Sequence, residues 1–259
     1  MYDTFSTNYD RFVNWQNRLS GEMPFIEQIL QTLGPNPADI RVLDAAGGTG
    51  MHAIALAQRG YAAAAADLSP GMVERARQNA QTAGVLLELA AAGFGALEKA
   101  FGPARFDAVL CLGNSLPHLL DPRELLAALR DFSAVLRPGG LLLIQNRNFD
   151  AVLAAQERWM EPQGHTEGDA EWIFLRFYDY QPDGLIDFNV VTLHRAGANA
   201  PWQQSVATTR LYPLREGELT GALKEAGFVE VALYGNMSGA PFVAEKSGNL
   251  VVVGRKIRE

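Results

Sequence analysis

The sequence predicts an α/β protein built on a doubly wound, seven-stranded, mostly parallel sheet. Short apolar runs alternate with segments of helical periodicity between residues 40 and 145, a pattern that indicates parallel strands joined by helices. The runs are almost continuously apolar, which is typical of a sheet covered on both faces. Two further strands lie close together near the C-terminus without a full crossover helix between them, so we expect a closing hairpin with an antiparallel last strand.

Turn and capping residues set the limits of these elements. A helix over residues 51–59 ends at Gly60, and the next helix has Ser69 as its N-cap and Pro70 at its first position. A third helix over 122–136 ends at the turn of residues 137–140, and a fourth over 216–226 ends at Gly227. The predicted strands are residues 40–44, 61–66, 86–91, 106–112, 141–145, 228–234 and 249–254.

Two segments lie outside this alternation. Residues 1–38 are expected to form an N-terminal helical lid of two helices, with a break between Gly21 and Pro24. Residues 151–207 predict a small antiparallel β insertion that covers the substrate, with candidate strands at 172–180, 185–193 and 202–211. The remaining residues, 39–150 and 208–259, are assigned to the cofactor-binding sheet domain.

Composition excludes several classes of function. The chain has 259 residues and a formal net charge of −7 without a Lys/Arg-rich run, so we expect no nucleic-acid partner. Its single cysteine, Cys111, permits neither an internal disulfide nor a cysteine metal cluster, and no histidine pair has metal-ligand spacing. Neither a signal peptide nor a transmembrane segment is expected, which predicts a cytoplasmic protein with no membrane partner. The sequence leaves the oligomeric state open.

A glycine-rich turn after the first strand predicts a nucleotide cofactor. Gly48 and Gly50 permit close approach of the backbone to a ligand, and Asp67 ends the second strand where a carboxylate can accept both ribose hydroxyls. Residues 48–53 also fit the dinucleotide pattern G-x-G-x-x-A, so a nicotinamide-dependent oxidoreductase stays open, as does a tight turn without a ligand. Asp44 would repel a pyrophosphate over this turn and suits a cofactor with a cationic amino-acid end.

Four motifs in order resemble those of the class I S-adenosylmethionine-dependent methyltransferases, which have a Rossmann-like fold. They are residues 42–50 (VLDAAGGTG), 67–72 (DLSPGM), 106–112 (FDAVLCL) and 136–140 (LRPGG). The resemblance implies S-adenosylmethionine as cofactor and S-adenosylhomocysteine as product. It also implies cofactor contacts from the following residues: Asp44, Ala46, Gly48, Gly50, Asp67, Leu68, Met72, Phe94, Cys111 and Asn114.

Residues 113–119 (GNSLPHL) and 147–150 (RNFD) resemble more closely the glycine and sarcosine N-methyltransferase branch. Ala46 fits that branch, which carries an inserted antiparallel sheet after the second of these motifs. The resemblance implies that Arg147 holds a substrate carboxylate, a role that suits a bidentate guanidinium. One departure is Gly93, which stands where the family commonly has an acid that contacts adenine. We therefore expect adenine to rest on Phe94 and on backbone groups around Gly93.

Several candidate residues carry a functional and a structural interpretation. His118 is a candidate base or a packing residue, and Asn114 is a candidate for contacting the cofactor or orienting an amine. Tyr9 and Trp15, candidate substrate-binding residues, either form a lid over the cofactor or cover the sheet, and Arg147 either anchors the substrate or pairs with Asp150.

These observations predict an enzyme that moves a methyl group from S-adenosylmethionine to a small-molecule acceptor, an amine bearing a carboxylate. The alternatives are a nicotinamide-dependent oxidoreductase and a catalytically silent S-adenosylmethionine-binding protein.

Overall fold

The main sheet has seven strands in the order β3-β2-β1-β4-β5-β11-β10. A computed structural model of the protein describes residues 10–258. β11 runs antiparallel to both β5 and β10, and the other pairs are parallel, so the predicted doubly wound sheet with its closing hairpin is confirmed. The strands are β1 (Arg41–Ala45), β2 (Ala62–Asp67), β3 (Glu88–Ala91), β4 (Phe106–Cys111), β5 (Leu136–Arg147), β10 (Phe228–Tyr234) and β11 (Asn249–Lys256).

Helices cover both faces of this sheet, as the continuous apolar strands predict. Alternate residues of β4 belong to different core clusters: Val109 packs in one, and Ala108 and Leu110 pack in the other. The helices are α1 (Trp15–Leu30), α2 (Met51–Gln58), α3 (Pro70–Thr82), α4 (Leu97–Phe101), α5 (Pro122–Val135), α6 (Phe149–Ala155) and α7 (Glu216–Glu225), with 3₁₀ turns at Pro37–Asp39 and Leu116–His118.

The predicted break near Gly21 is wrong, because α1 is continuous from Trp15 to Leu30 with Pro24 inside it. A proline inside a helix costs about 3 kcal/mol. Met23, Phe25, Ile26 and Leu30 are buried in this helix. Burial of each such side chain contributes roughly 1.5–3 kcal/mol, so the apolar face outweighs the cost of the proline.

β5 begins at Leu136, five residues before the predicted strand, and the preceding helix ends at Val135. Leu136 pairs with Phe106, the register then shifts, and Leu141 pairs with Ala108. The turn of residues 137–140 is therefore an irregularity within the strand. Such a bulge cannot be identified from apolar periodicity, because its residues follow neither a helical nor a strand pattern.

A second, antiparallel sheet has the order β6-β7-β8-β9. Its strands are β6 (Gln163–Glu167), β7 (Ala170–Tyr180), β8 (Ile186–Arg195) and β9 (Gln203–Leu211). The three predicted strands correspond to β7, β8 and β9, whereas β6 was not predicted because its sequence QGHTE has no apolar alternation. β9 runs through residue 207, so the expected end of the insertion falls inside a strand.

The carboxyl ends of β1, β4 and β5 meet at one edge of the main sheet, where α/β proteins bind ligands. α6 follows β5 directly, and its residues Phe149 and Val152 share a buried cluster with Tyr178 of β7 and Leu211 of β9. This cluster fixes the second sheet over that edge. Within residues 10–258, no helix combines the length and apolar character needed to cross a bilayer.

Candidate active site

The glycine-rich turn is held against the end of β2. Gly48 donates its backbone N–H to Oδ2 of Asp67 at 2.9 Å, and Gly47 donates to the carbonyl of Ala66 at 2.8 Å. Ala46, Gly48 and Gly50 all have positive φ, of 61°, 57° and 79°. The turn therefore needs a left-handed backbone at several positions, which glycine adopts without a steric cost.

A cavity of about 450 Å³ opens beside this turn, and we call it the glycine-turn cavity. Its polar end is at Asp67, and its other wall is apolar, with Leu68 on the outside and Met72 buried beneath. A Cβ at Gly93 would lie 2.9 Å from Cδ1 of Leu68, so glycine at this position leaves room for that side chain. The predicted residues that line the cavity are Ala46, Gly48, Asp67, Leu68, Met72, Gly93 and Phe94.

Asp44 lies at the end of β1 in a small adjoining space that Arg18 and Trp15 also line. Its side chain is buried, and its Oδ2 has no hydrogen-bond partner among the described residues. Burial raises the pKa of Asp44 to about 6, against the charges of His52 and Arg18, which lower it. A buried carboxylate oxygen without a donor is stabilised by an incoming cation or N–H group.

A second cavity of about 300 Å³ lies under the antiparallel sheet, and we call it the roofed cavity. Asn114, Arg147 and Arg176 are among its lining residues. Gly113 and His118 line both this cavity and the glycine-turn cavity, so the two spaces meet at the segment that follows β4. A ligand in each cavity would thus approach the other at this segment.

Arg147 is the last residue of β5 and lines the roofed cavity. Its Nη2 donates to Oε1 of Glu157 at 2.5 Å, while its Nε is buried without a hydrogen-bond partner within residues 10–258. The alternative pairing with Asp150 is not formed, since Asp150 accepts the backbone N–H of Glu216 instead. Asn114 accepts the backbone N–H of Arg147 at 2.9 Å through its Oδ1, which fixes the amide at the cavity wall.

His118 sits at the junction of the two cavities. Burial lowers its pKa to about 4. The imidazole is therefore neutral near pH 7 and adds no charge to the junction. A neutral ring leaves this space open to a cationic ligand, because a positive charge there would repel one.

Several predicted residues lie elsewhere. Gly50 and Cys111 line neither cavity: Gly50 packs against Ala76, and Cys111 is buried in the core of the sheet, where burial raises the pKa of its thiol. Trp15 lies beside Asp44 rather than in the roofed cavity. Tyr9 is outside the described residues.

Comparisons with known proteins identify the family. A family model described as a methyltransferase domain matches residues 42–140. A glycine/sarcosine N-methyltransferase from Parasynechococcus marenigrum (strain WH8102) is 30% identical over 244 residues, covering 90% of this chain and 77% of the relative. The chain belongs to the class I S-adenosylmethionine-dependent methyltransferases.

A second glycine/sarcosine N-methyltransferase, from Aphanothece halophytica, is 30% identical to this methyltransferase over 236 residues, covering 90% of the chain and 81% of the relative. The solved S-adenosylmethionine-dependent methyltransferase from Clostridium acetobutylicum ATCC 824 matches 99% of each chain with a TM-score of 0.76 and 16% identity, which shows a common fold. The predicted resemblance, enzyme class and cofactor are confirmed. The oxidoreductase and silent-binding alternatives are not favoured.

The residues of this methyltransferase fit its cofactor. The unpartnered Oδ2 of Asp44 meets the need of an ammonium group, and Asp67 presents a carboxylate beside backbone that carries no side chain at Gly48. Leu68 and Phe94 offer apolar surfaces of the kind that a purine ring covers. No group of three or more acidic, histidine or cysteine side chains suited to a metal ion occurs in the described part of the chain.

Two arginines of the site were not predicted from the sequence. Arg18 lines the space beside Asp44 and forms an ion pair with Glu22 at 3.1 Å. Arg176 lines the roofed cavity from β7. Its sequence signal is alternation: Phe174 and Tyr178 are buried two residues away on either side, so Arg176 occupies an inward position of the strand.

Proposed function

We propose that this methyltransferase transfers the methyl group of S-adenosylmethionine to the amine of a small acceptor that bears a carboxylate. The observation that carries the proposal is Arg147, whose buried Nε has no partner in the described part of the chain and which lines a cavity that meets the glycine-turn cavity. The two similar glycine/sarcosine N-methyltransferases have names that describe acceptors of this kind. A small-molecule acceptor is also consistent with the size of the roofed cavity.

The glycine-turn cavity and the adjoining space would hold the cofactor. Asp67 would accept the ribose hydroxyls, and Asp44 would receive the ammonium of the methionyl end, with Arg18 near its carboxylate. The purine would pack between Leu68 and Phe94. In this arrangement Asp44, Asp67 and the apolar walls would contact only the methyl donor. The roofed cavity would then be left for the acceptor.

The chain's contribution to methyl transfer is alignment. When bound, S-adenosylmethionine supplies an activated methyl group, so no further activation of the donor is needed. Arg147 would fix the acceptor's carboxylate, and the amide of Asn114 would orient its amine toward the junction. His118 has a pKa near 4 and is a weak base, which favours an acceptor amine that loses its proton before it binds.

The peripheral segments would complete this arrangement. Residues 151–207 would roof the acceptor, since Met160, Tyr178 and Phe188 belong to that segment and line the roofed cavity. Of the predicted lid, the described residues 10–38 would close the site, with Arg18 and Glu22 facing the same cavity from α1. The closed assembly would exclude water from the junction.

A methyl-transfer assay tests the proposal. Wild-type protein is incubated with labelled S-adenosylmethionine and either glycine, sarcosine or amines of similar size that lack an acidic group. We expect label in the amines that carry a carboxylate and little in the others. Activity confined to acceptors without an acidic group would contradict the proposal and leave the methyltransferase assignment intact.

A further inference from the structure

Arg176 is a cation on the inner face of the second sheet. In β7 it alternates with the buried Phe174 and Tyr178, and across the sheet it pairs with the buried Val190. Its guanidinium lies over the ring of Phe12 at 5.1 Å. An inward strand position surrounded by apolar side chains is an unusual place for a charge, because desolvation of the guanidinium costs free energy that an apolar residue would not.

No carboxylate neutralises this charge among the residues that the structure describes. The side chain makes one long hydrogen bond, from Nη2 to the carbonyl of Glu161 at 3.4 Å, and its Nε is buried without a partner. Burial and the nearby charge of Arg147 lower the pKa of Arg176. The fold therefore leaves this guanidinium short of both hydrogen bonds and negative charge, which a bound anion would supply.

The other two arginines of the roofed cavity differ in this respect. Arg147 forms an ion pair with Glu157 at 2.5 Å, and Arg18 forms one with Glu22 at 3.1 Å. Each of those pairs is neutral, so the net positive charge of the cavity comes from Arg176. An amine acceptor in its reactive, neutral form carries the single negative charge of its carboxylate, and the two charges are complementary.

We propose that Arg176 is a second, specificity-determining arginine of the acceptor site, which together with Arg147 binds the acceptor's carboxylate. The inference rests on the proposed function, since it concerns the same acceptor. Arg147, already paired with Glu157, supplies a fixed N–H donor at the end of β5. Arg176 supplies the uncompensated charge that distinguishes a carboxylate from a neutral group of the same size.

The test compares Arg176→Gln with wild type and with a matched control, Arg158→Gln. Arg158 lies near the same strand but is over half exposed, pairs with Asp179, and does not line the roofed cavity. We expect Arg176→Gln to raise the KM for sarcosine by about tenfold or more, with kcat changed less than about threefold. The affinity for S-adenosylhomocysteine should be unchanged, and Arg158→Gln should behave as wild type in each measurement.

Thermal stability separates binding from a structural role. Removing a half-buried, uncompensated charge should leave the melting temperature of Arg176→Gln equal to or above that of wild type. Arg176→Lys keeps the charge and should recover part of the lost affinity for sarcosine. Two outcomes would show that Arg176 is structural and overturn the inference. One is a lower melting temperature together with equal losses in cofactor affinity and in KM, and the other is failure of Arg176→Gln to fold. An unchanged KM would overturn it as well.

A separate measurement distinguishes failure of this inference from failure of the proposed function. If wild-type protein methylates no amine that carries a carboxylate, the proposed function fails. In that case the anion site is still tested by acetate. Its affinity for the protein loaded with S-adenosylhomocysteine is measured by NMR titration. Acetate binding that Arg176→Gln loses would support the role of Arg176, and equal binding by both proteins would contradict it.

Discussion

Asp44 is an ionisable group whose environment in the folded chain differs sharply from water. Its carboxylate is buried at the end of β1, one of its oxygens has no partner among residues 10–258, and burial raises its pKa to about 6. The folded state therefore binds a proton more tightly than the unfolded chain does. This contribution favours folding at low pH and is lost as the pH rises through about 6.

Asp44→Asn should therefore stabilise the protein without cofactor at neutral and alkaline pH. We expect the free energy of unfolding to rise by roughly 2–3 kcal/mol near pH 8, with little change below about pH 4. In wild type, the affinity for S-adenosylmethionine should fall as the pH is lowered through about 6, because protonation removes the charge that we propose binds the ammonium. Denaturant unfolding and calorimetric titration across this range check both effects.

Asp44→Asn also serves as the control for the pH dependence of cofactor affinity. Its affinity for S-adenosylmethionine should be weaker than that of wild type near neutral pH and should not change between about pH 5 and pH 8. A variant with the same pH dependence as wild type would assign the titration to another group. A variant with unchanged affinity would remove Asp44 from the cofactor site.

Arg147 permits a second test at the scale of one residue. Arg147→Lys keeps the charge and the possible ion pair with Glu157, but it loses the planar fork and the Nε donor. We expect the KM for a carboxylate acceptor to rise by about tenfold, with cofactor affinity and melting temperature nearly unchanged. Steady-state kinetics with sarcosine provide the measurement. Equal losses for every acceptor, together with lower stability, would indicate that Arg147 ties the insertion to the core.

The sequence predicts the part of the site that is local in the chain. Gly48 and Asp67 are recognisable because a strand, a turn and a distal acid have a fixed spacing in this kind of fold. Arg176 and Glu157 lie near Arg147 only through the way the second sheet packs on the first. Alternation places Arg176 on an inward face, but nothing near either residue in the sequence marks that packing contact. Contacts between distant segments depend on packing, which periodicity alone does not determine.

At the scale of elements, α1 shows how burial overrides a local signal for a break. The helix continues through Gly21 and Pro24 because its apolar face is buried against the main sheet. Strands with continuous apolar runs were predicted within about two residues of their observed limits, whereas polar β6 and the irregular start of β5 were not. Elements with a weak pattern of their own are fixed by their neighbours: β6 pairs with β7, and Leu136 of β5 pairs with Phe106 of β4.

The glycine inside α1 provides a prediction at this scale. Gly21 is exposed, and a Cβ there would meet no atom within 4 Å. Gly21→Ala should raise the free energy of unfolding by about 0.5–1 kcal/mol, because alanine loses less backbone entropy in a helix. Gly84 is the matched control: it also has open space around it, but its φ of 69° suits glycine, so Gly84→Ala should destabilise the protein. Denaturant unfolding that gives both variants the same sign would contradict this reasoning.

At the scale of the whole molecule, residues 10–14 connect the two sheets before α1 begins. Arg11 donates to Glu167 of the second sheet at 2.9 and 3.0 Å, and Phe12 packs edge-on against Phe174 at 5.4 Å. Asp10 contacts the glycine-rich turn at Thr49 and α3 at Arg75 and Asn79. The short segment thus joins the glycine-rich turn to the second sheet.

Asp10 is the centre of that connection on the cofactor side. Its Oδ1 accepts hydrogen bonds from Oγ1 of Thr49 at 2.6 Å and from Nε1 of Trp15 at 3.0 Å. Its Oδ2 accepts from Nε of Arg75 at 3.0 Å and from Nδ2 of Asn79 at 3.3 Å. One carboxylate therefore fixes the N-terminal segment to both the glycine-rich turn and the helix behind it.

Asp10→Ala should release this segment and loosen the cofactor site. We expect the free energy of unfolding to fall by about 2 kcal/mol, since the bonds lost are partly exposed but involve a charged group. S-adenosylhomocysteine should dissociate about tenfold faster. Trp15 lies beside Asp44 and donates to Asp10, so the loss of Asp10 detaches this cover from the glycine-rich turn. Stopped-flow displacement measures the dissociation rate, and denaturant unfolding measures the stability.

A matched control comes from α3, the helix that Asp10 contacts through Arg75 and Asn79. Glu74→Gln removes an exposed ion pair with Arg77 on α3 that has no contact with the N-terminal segment, so both quantities should stay within error of wild type. The decisive comparison is between the two effects of Asp10→Ala. If stability falls while the dissociation rate of S-adenosylhomocysteine stays the same, the segment supports the fold but does not retain the cofactor. Faster dissociation in the folded variant, under conditions where it is fully native, assigns the retaining role to the connection that Asp10 makes.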